Sequence, residues 1–471
     1  MEKEKIKNEM MCRLTGAVSG LLLAIPNIYP VLAPMQVFAL IPVLYIGAKR
    51  ENSFSKIFTA GIYMGLFYTL PQMVTLRMPI PITMILIAHL VIIMIVLAVG
   101  SAWLIRRNNI WGAFATGAFL VILDWINFTA IPLWGTAQSI VRPWSQYPYL
   151  IQFSSLTGIT GIIFVLGTIQ ALIVGAIINP QMKRRWLSAS IIIVIIFAIA
   201  DFVILAQQPT GKIKVAAIGW ATKDFKNVEY AQTEEGFEEL FIKPAIKAAG
   251  AGAKLIVSPE MGFYINDYDR DEWQEKFQKI AGEYNVFLAV GYFDASRKLN
   301  QLMFITPCGK EPTEYSKTYL IPFYEKCGKG DGKLYIIDAD GISFGGMICH
   351  DDNFTRLSRE YGRHKTGIIA VPTMDWATVK STHLQNSIHR AIESRYAIVR
   401  ATMNGISAIV APDGRVLAKL DHFKKGAGVI VAEVPVYNSS ATIFSMAGHW
   451  PVAVGAIFLI IFVTLTIRSK K

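Results

Sequence analysis

The first half of the chain consists mainly of long apolar runs, which are separated by short polar or basic turns. A helix needs about 20 consecutive apolar residues to cross the hydrocarbon core of a bilayer. Runs of about this length predict membrane spans at 13–33, 54–71, 82–104, 111–130, 156–179, 186–206 and 448–467. The shorter run 34–48 is a weaker eighth candidate.

Basic residues in the short loops test this count, because loops rich in lysine and arginine remain in the cytoplasm. Basic groups lie near the N-terminus, at 49–50, at 106–107, at 183–185 and at the C-terminus. They all fall on one side of the membrane only if 34–48 is a span. We therefore expect eight spans, with both termini cytoplasmic and residues 207–447 outside the cytoplasm.

Between residues 207 and 447 the pattern changes to short elements that alternate in type. Strands are predicted at 213–218, 254–260, 286–292, 301–306, 314–317, 341–349, 367–372, 397–403, 406–411 and 427–433, and helices at 234–249 and 382–396. This alternation predicts an α/β domain with two packed sheets flanked by helices. The expected domains are a seven-span bundle over 1–206, the α/β domain over 207–447, and a last span with its tail over 448–471.

Composition adds a net charge of +12 and only four cysteines to this picture. Much of the basic excess lies in the loops and tails predicted to be cytoplasmic, so it indicates orientation rather than nucleic-acid binding. Cys308 and Cys327 could pair or remain free, but four cysteines do not form a disulfide scaffold in a domain of this size. No cysteine has a metal-ligand spacing, and we expect neither a metal nor a cofactor.

Three polar residues stand at predicted strand ends or edges: Glu260, Lys317 and Cys349. Each has a simple structural explanation, since Glu260 could cap a turn, Lys317 could be solvated, and Cys349 could be a small buried hydrophobe. Together they form a complete set for acyl transfer. A carboxylate can take the thiol proton, and an ammonium favours both the thiolate and the oxyanion formed on attack.

The order of these residues resembles the nitrilase, or carbon-nitrogen hydrolase, superfamily. The matching segments are Ser258-Pro259-Glu260, Tyr315-Ser316-Lys317 and Ile348-Cys349, and further matches lie at 134–138, 320–325, 387–395 and 400–407. The combination with an eight-span bundle is similar to the apolipoprotein N-acyltransferases. This resemblance implies an αββα sandwich with a Glu-Lys-Cys triad.

The sequence departs from the family beside the nucleophile. His350 and Asp351 stand where the family usually has Tyr-Glu, and Tyr324 replaces a glycine before a second essential glutamate, Glu325. We expect Asp351 to orient the turn or Lys317 through a charge-assisted hydrogen bond, and the loop 319–332, which carries Glu325, to act as a glycine-rich lid. The alternative is that Asp351 only caps the turn and Glu325 is solvated.

The resemblance implies a monomeric enzyme of the bacterial inner membrane that needs no cofactor. It would move an acyl chain from a phospholipid, through a thioester on Cys349, to the N-terminal amine of a diacylglyceryl-cysteine lipoprotein. A thiolate can attack an ester, and a thioester remains reactive towards amines where water is restrained. Two alternatives remain: a membrane-bound amidase, in which water replaces the amine, and a non-catalytic lipoprotein-binding protein.

The predicted topology can be tested with reporter fusions. A reporter that works only outside the cytoplasm should be active when it is fused after residue 210 and inactive when it is fused near Arg107, because the basic loops orient the spans. The same sites fused to a cytoplasmic reporter provide the control. A cytoplasmic signal from the fusion after residue 210 would contradict the eight-span arrangement.

Overall fold

The computed structural model describes residues 2–107, 109–130, 133–221, 226–339, 341–437 and 441–468. The chain divides into two compact units, one formed by Met1–Leu205 with Ala447–Lys471 and the other by Ala206–Met446. The first unit is helical, and the second contains all thirteen strands of the described residues.

Within the described residues, the first unit has eight helical segments that are long and apolar enough to cross a membrane. They are Glu9–Ile28, Pro30–Ala48, Phe54–Leu76, Ile80–Ile105, Ile110–Ala130, Thr160–Ile178, Pro180–Leu205 and Trp450–Arg468. The second segment is not a continuous α-helix, since a 3-10 helix at Pro30–Val37 precedes an α-helix at Ile41–Ala48. Pro34 interrupts the hydrogen bonds of the first part because proline lacks a backbone N–H.

Short helical turns connect the fifth and sixth of these segments. They lie at Gly135–Gln138, Arg142–Gln146, Pro148–Leu150 and Ser154–Thr157. Asp124, which is buried in the helix Ile110–Ala130, accepts hydrogen bonds from the Ser139 hydroxyl at 2.6 Å and from the Ile140 amide at 3.1 Å. This buried carboxylate therefore fastens the loop to the helix that precedes it.

The second unit is built on two β-sheets. In chain order the strands are β1 (Gly211–Gly219), β2 (Leu255–Val257), β3 (Phe263–Ile265), β4 (Phe287–Asp294), β5 (Leu299–Ile305), β6 (Thr313–Ser316), β7 (Ile336–Ala339), β8 (Ile342–Gly346), β9 (Ile368–Met374), β10 (Ala397–Met403), β11 (Ile406–Val410), β12 (Val416–Asp421) and β13 (Gly428–Val436). One sheet has the order β13-β1-β2-β4-β5-β6, with β3 also beside β4, and the other has the order β12-β11-β10-β9-β8-β7.

Two sets of parallel strands lie at the centres of these sheets. They are β1-β2-β4 in one sheet and β8-β9-β10 in the other, whereas the outer pairs are antiparallel. The sheets face each other, since β1 contacts both β10 and β11. Parallel strands of one sheet end at a common edge, so the residues that follow β8 and β9 lie together. The strand β2 of the other sheet contacts β9, and this brings the chain after β2 beside them.

Helices flank the two sheets, which confirms the predicted fold class. They lie at Lys226–Ala231, Glu234–Phe237, Lys243–Gly250, Arg270–Tyr284, Thr355–Arg363, Lys380–Ser394, His422–Lys425 and Ile443–Ala447. The predicted helix 234–249 is helical throughout, but a π-helical turn at Glu238–Ile242 separates its two α-helical parts. Pro244 follows this turn and cannot supply the amide that a regular helix requires.

An aromatic cluster fills the space between the first sheet and its helices. Phe237, Phe241, Phe263, Trp273 and Phe277 are all buried, and the Phe263 and Phe277 rings meet edge to face at 5.2 Å. Edge-to-face aromatic pairs add to the stability gained from burial alone. The cluster anchors β3, which sequence analysis did not predict, and so fixes the chain that follows Glu260.

Candidate active site

Cys349 is buried and occupies a constrained turn. The strand β8 ends at Gly346, three residues earlier than predicted, and Cys349 begins a 3-10 turn that extends to Asn353. Its φ of 47° lies in the left-handed region, which costs a residue other than glycine roughly 1–2 kcal/mol. Such conformations cluster at functional sites. The turn points the thiol towards the carbonyl oxygen of Met374, at 3.7 Å.

Glu260 is held by three donors. Its carboxylate accepts hydrogen bonds from Asn300 Nδ2, from the Met374 amide and from Lys317 Nζ, each at 2.7 Å. The approach is close, since a Cβ at Gly291 on β4 would lie 3.0 Å from the Cα of Glu260. The buried carboxylate is thus fixed in one orientation rather than capping a turn at the surface.

Lys317 is buried between two carboxylates. Its Nζ lies 2.7 Å from Glu260 Oε1 and 2.5 Å from Glu325 Oε1. Burial alone would lower the pKa of Lys317, but the negative charges of Glu260 and Glu325 raise it well above its usual value. Lys317 is therefore a permanent cation in the site.

The nucleophile rests in its neutral form. Burial raises the pKa of the Cys349 thiol well above its usual value, and the Glu260 carboxylate raises it further. The Lys317 cation opposes this shift without reversing it. The thiol must therefore transfer its proton to a base when it attacks, and Glu260 is a carboxylate in electrostatic contact with it.

Asp351 connects the nucleophile turn to the segment that follows Lys317. It accepts hydrogen bonds from the amides of Thr318 at 3.1 Å, Tyr319 at 2.7 Å and Ile348 at 3.0 Å, and from the Tyr315 hydroxyl at 2.7 Å. Burial raises the pKa of Asp351 to about 7, although these hydrogen bonds oppose the shift. These bonds link the turn to the segment after Lys317 and support the predicted orienting role of Asp351, which stays a prediction.

Glu325 and the loop around it are more constrained than a glycine-rich lid. The second oxygen of Glu325 accepts a hydrogen bond from the Ile321 amide at 2.7 Å, and burial raises the pKa of Glu325 despite its contact with Lys317. A Cβ at Gly330 would lie 2.2 Å from the Ser316 carbonyl oxygen. Gly330 is therefore a point of close packing, and Gly332, with φ of 75°, is the glycine of this loop that adopts a left-handed conformation.

Residues 214–443 match the model of the carbon-nitrogen hydrolase family. The chain is 25% identical to an apolipoprotein N-acyltransferase of Treponema denticola over 78% of each chain, and 24% identical to that of Geobacter metallireducens over 92% of each. The chain is thus similar to apolipoprotein N-acyltransferases over most of its length. A solved structure of an amidase from Nesterenkonia sp. aligns with a TM-score of 0.40 at 18% identity, covering 48% of this chain and 91% of the amidase.

These similarities confirm the resemblance found in the sequence and the enzyme class that it implies. Together with the eight apolar helices, they indicate a bacterial inner-membrane protein. The roles of Glu260, Lys317 and Cys349 remain predictions that the geometry described above supports.

Sequence analysis missed a group of buried polar residues beside the nucleophile: Asp352, Asn353, Asp375, His383 and Arg400. One signal was available, because Arg400 interrupts the apolar strand β10 and a buried cation requires a buried partner. Asp375 follows β9 as Cys349 follows β8, but no motif marks it.

Donor atoms of Cys349, Asp375 and His383 lie within 4.8 Å of one another. These donors are already engaged, since His383 Nδ1 bonds Asp375 Oδ1 at 2.6 Å and Arg400 bonds the other carboxylate oxygen at 3.1 Å. We therefore assign no metal to them. Cys308 and Cys327, which could have paired, are free thiols.

Asp351 should give the site a pH dependence near neutrality. As the pH falls below about 7, Asp351 gains a proton and its hydrogen bonds lose their charge assistance. The rate of acyl loading onto Cys349 should therefore fall as the pH drops below 7. Asp351→Asn should lose this acid limb of the pH–rate profile. It should also load roughly tenfold more slowly at pH 8, as expected for one lost charge-assisted bond.

Single-turnover loading measured between pH 5.5 and 8.5 tests this expectation. Asp331→Asn, which alters an exposed acid of the loop 319–332, is the matched control and should keep the parent profile. An unchanged acid limb in Asp351→Asn would assign the titration to another group, for which Glu325 is the candidate.

Proposed function

We propose that the chain transfers an acyl chain from a phospholipid to the N-terminal amine of a diacylglyceryl-cysteine lipoprotein, through a thioester on Cys349. The observation that carries this proposal is the buried contact of Lys317 with Glu260 beside Cys349, in a chain whose relatives are named apolipoprotein N-acyltransferases. We further propose that the α/β domain lies outside the cytoplasm.

In the first half-reaction, Glu260 takes the proton of the Cys349 thiol while the sulfur attacks the carbonyl carbon of the phospholipid ester. The Lys317 ammonium carries three N–H donors, of which two face Glu260 and Glu325. We assign the third to the oxyanion of the tetrahedral intermediate. The ester C–O bond then breaks, and Glu260 returns its proton to the departing lysophospholipid oxygen.

In the second half-reaction, the lipoprotein amine attacks the thioester carbon. Glu260 takes a proton from the amine, and Lys317 again stabilises the oxyanion. The C–S bond breaks, an amide forms, and the proton on Glu260 returns to the sulfur. The high pKa of Cys349 favours this return, since the enzyme ends each cycle with a neutral thiol.

The acyl-enzyme should be trapped by mass spectrometry after incubation of the parent protein with phospholipid. Cys349→Ala should abolish the adduct. Glu260→Gln should slow its formation about 10²–10⁴-fold, as is typical when a proton-transfer group is lost, and Lys317→Met about 10²–10³-fold, as is typical when an oxyanion donor is lost. Cys327→Ala removes a thiol of the loop that carries Glu325 and should load normally.

Acyl loading retained in Cys349→Ala would move the nucleophile elsewhere. Adding a diacylated lipopeptide to the loaded enzyme should discharge the thioester and yield the N-acyl product. Release of free fatty acid or ammonia without this product would favour the amidase alternative, and the absence of any adduct would favour a binding protein.

Glu325 should affect both half-reactions. Glu325→Gln keeps the side-chain shape but removes one of the two negative charges that hold Lys317 in place, and it weakens the bond to the Ile321 amide. We expect loading and amine transfer each to slow by roughly tenfold or more, the effect of losing a hydrogen bond to a charged group. Glu311→Gln, at an exposed position, is the matched control. Parent rates in both steps would remove Glu325 from the site.

A further inference from the structure

A second charged cluster lies beside Cys349, and the proposed reaction does not use it. It consists of Asp352, Asp375, His383 and Arg400, each at most 4% exposed. The donor atoms of Asp375 and His383 lie within 4.8 Å of the Cys349 sulfur. Charged groups at this depth are expensive to bury and persist only when they are paired.

Arg400 is the centre of the cluster. Its Nη1 lies 3.2 Å from Asp352 Oδ2 and its Nη2 lies 3.1 Å from Asp375 Oδ2. Burial alone would lower the pKa of Arg400, but the carboxylates of Asp375 and Asp352 raise it, so the guanidinium remains charged. Two carboxylates against one guanidinium leave a net negative charge next to the sulfur.

His383 does not neutralise this charge. Asn386 Nδ2 donates to the Asp352 carbonyl oxygen at 2.7 Å and to Asn353 Oδ1 at 2.9 Å, which fixes the orientation of the Asn353 amide. Asn353 Nδ2 therefore faces His383 Nε2, at 3.1 Å. Since an amide NH₂ can only donate, Nε2 accepts and the ring proton is on Nδ1, where it is donated to Asp375. His383 is thus neutral and Asp375 remains ionised.

The backbone next to Asp375 contacts both reacting groups. The Met374 amide donates to Glu260 Oε2 at 2.7 Å, and the Met374 carbonyl oxygen faces the Cys349 sulfur at 3.7 Å. The side chain of Asp375 is bound by Arg400 and His383, so the cluster fixes the segment that sets the distance between base and nucleophile.

We propose that Asp375 and Arg400 are positioning residues for the nucleophile. Their ion pair holds the backbone that Glu260 and Cys349 share, and the negative surplus of the cluster keeps the sulfur a thiol until Glu260 takes the proton. The proposal rests on the proposed function for its purpose, but the protonation state of the thiol is measurable without any lipid.

Charges on every side of Cys349 enter this balance. Glu260 and Lys317 lie beyond β2 and β6, Asp375 and Arg400 lie on the β9–β10 side, and all four affect the thiol. When the charge of Asp375 is removed, the positive charge of Arg400 is less compensated, and this should favour the thiolate form of Cys349. Removing the charge of Arg400 leaves two uncompensated carboxylates and should disfavour the thiolate. Removing the charges of both Asp375 and Arg400 should leave the protonation of Cys349 nearly unchanged, because the two effects oppose each other.

Alkylation of Cys349 by iodoacetamide in the full-length detergent-solubilised protein, measured against pH by peptide mass spectrometry, tests the proposal. Asp375→Asn should lower the midpoint by about one pH unit and raise the rate at pH 8 roughly threefold, because the tenfold gain in thiolate is partly offset by its lower nucleophilicity. Arg400→Met should slow alkylation at pH 9. The double variant, with Asp375→Asn and Arg400→Met, should return towards the parent pH profile, and Arg400→Lys should keep the parent profile.

Glu393→Gln is the matched control. It breaks the buried Arg390–Glu393 ion pair, whose atoms lie 2.6 Å apart on the same helix as His383. The charges that shift the pKa of the Cys349 thiol are those of Glu260, Lys317, Asp375 and Arg400, and this ion pair is not one of them. This variant should lower thermal stability without moving the alkylation profile. Equal shifts in Glu393→Gln and Asp375→Asn, or no opposite shift between Asp375→Asn and Arg400→Met, would overturn the proposal. If Asp375→Asn does not fold, the comparison of Arg400→Met with Arg400→Lys decides, since only loss of charge should slow alkylation.

Discussion

The burial of the Lys317 ammonium is the constraint on which the site depends. An ammonium out of water is tolerated only when carboxylates and hydrogen bonds replace its hydration, and removing one partner of such a pair typically costs about 3–5 kcal/mol. Glu260 and Glu325 supply this replacement from two different segments. The need to satisfy one cation therefore brings the end of β2, the end of β6 and the loop after it to one point, next to the turn that carries Cys349.

Backbone geometry provides the second constraint. Cys349 has a left-handed φ of 47°, and so has Met261, directly after Glu260, with φ of 51°. Each follows a parallel strand of a different sheet, so each strand delivers its functional residue and then turns sharply away. The cost of each conformation is offset by packing, such as the aromatic cluster that holds β3 behind Glu260.

Sequence reasoning could single out residues whose type conflicted with their surroundings or that stood at a strand end. Glu260, Lys317 and Cys349 were identifiable because acyl transfer needs all three and because apolar strands precede them. The partners of Asp351 were not identifiable, since three of its four bonds are to backbone amides that any sequence provides. The π-helical turn at Glu238–Ile242 was missed because the apolar period continues through it, although Pro244 marked the break. The glycines of the loop 319–332 do not by themselves distinguish a mobile lid from close packing, since close approach and backbone freedom both select glycine, and Gly330 is a point of close approach.

The departures beside the nucleophile form one connected arrangement. His350, where the family usually has tyrosine, shares the Asn353 amide with His383, since Asn353 Nδ2 lies 2.8 Å from His350 Nδ1 and 3.1 Å from His383 Nε2. That amide sets the tautomer of His383, which in turn donates to Asp375. Asp351, with its shorter arm, reaches its donors because the chain at Thr318 and Tyr319 approaches to within 3.1 Å and 2.7 Å. The two substituted residues therefore connect the nucleophile turn to two different sides of the site. His350 is linked to the charged cluster of Asp375 and Arg400, and Asp351 is bonded to the segment that follows Lys317. Cys349 lies between these two hydrogen-bonded systems, and its protonation reflects the charge balance of both.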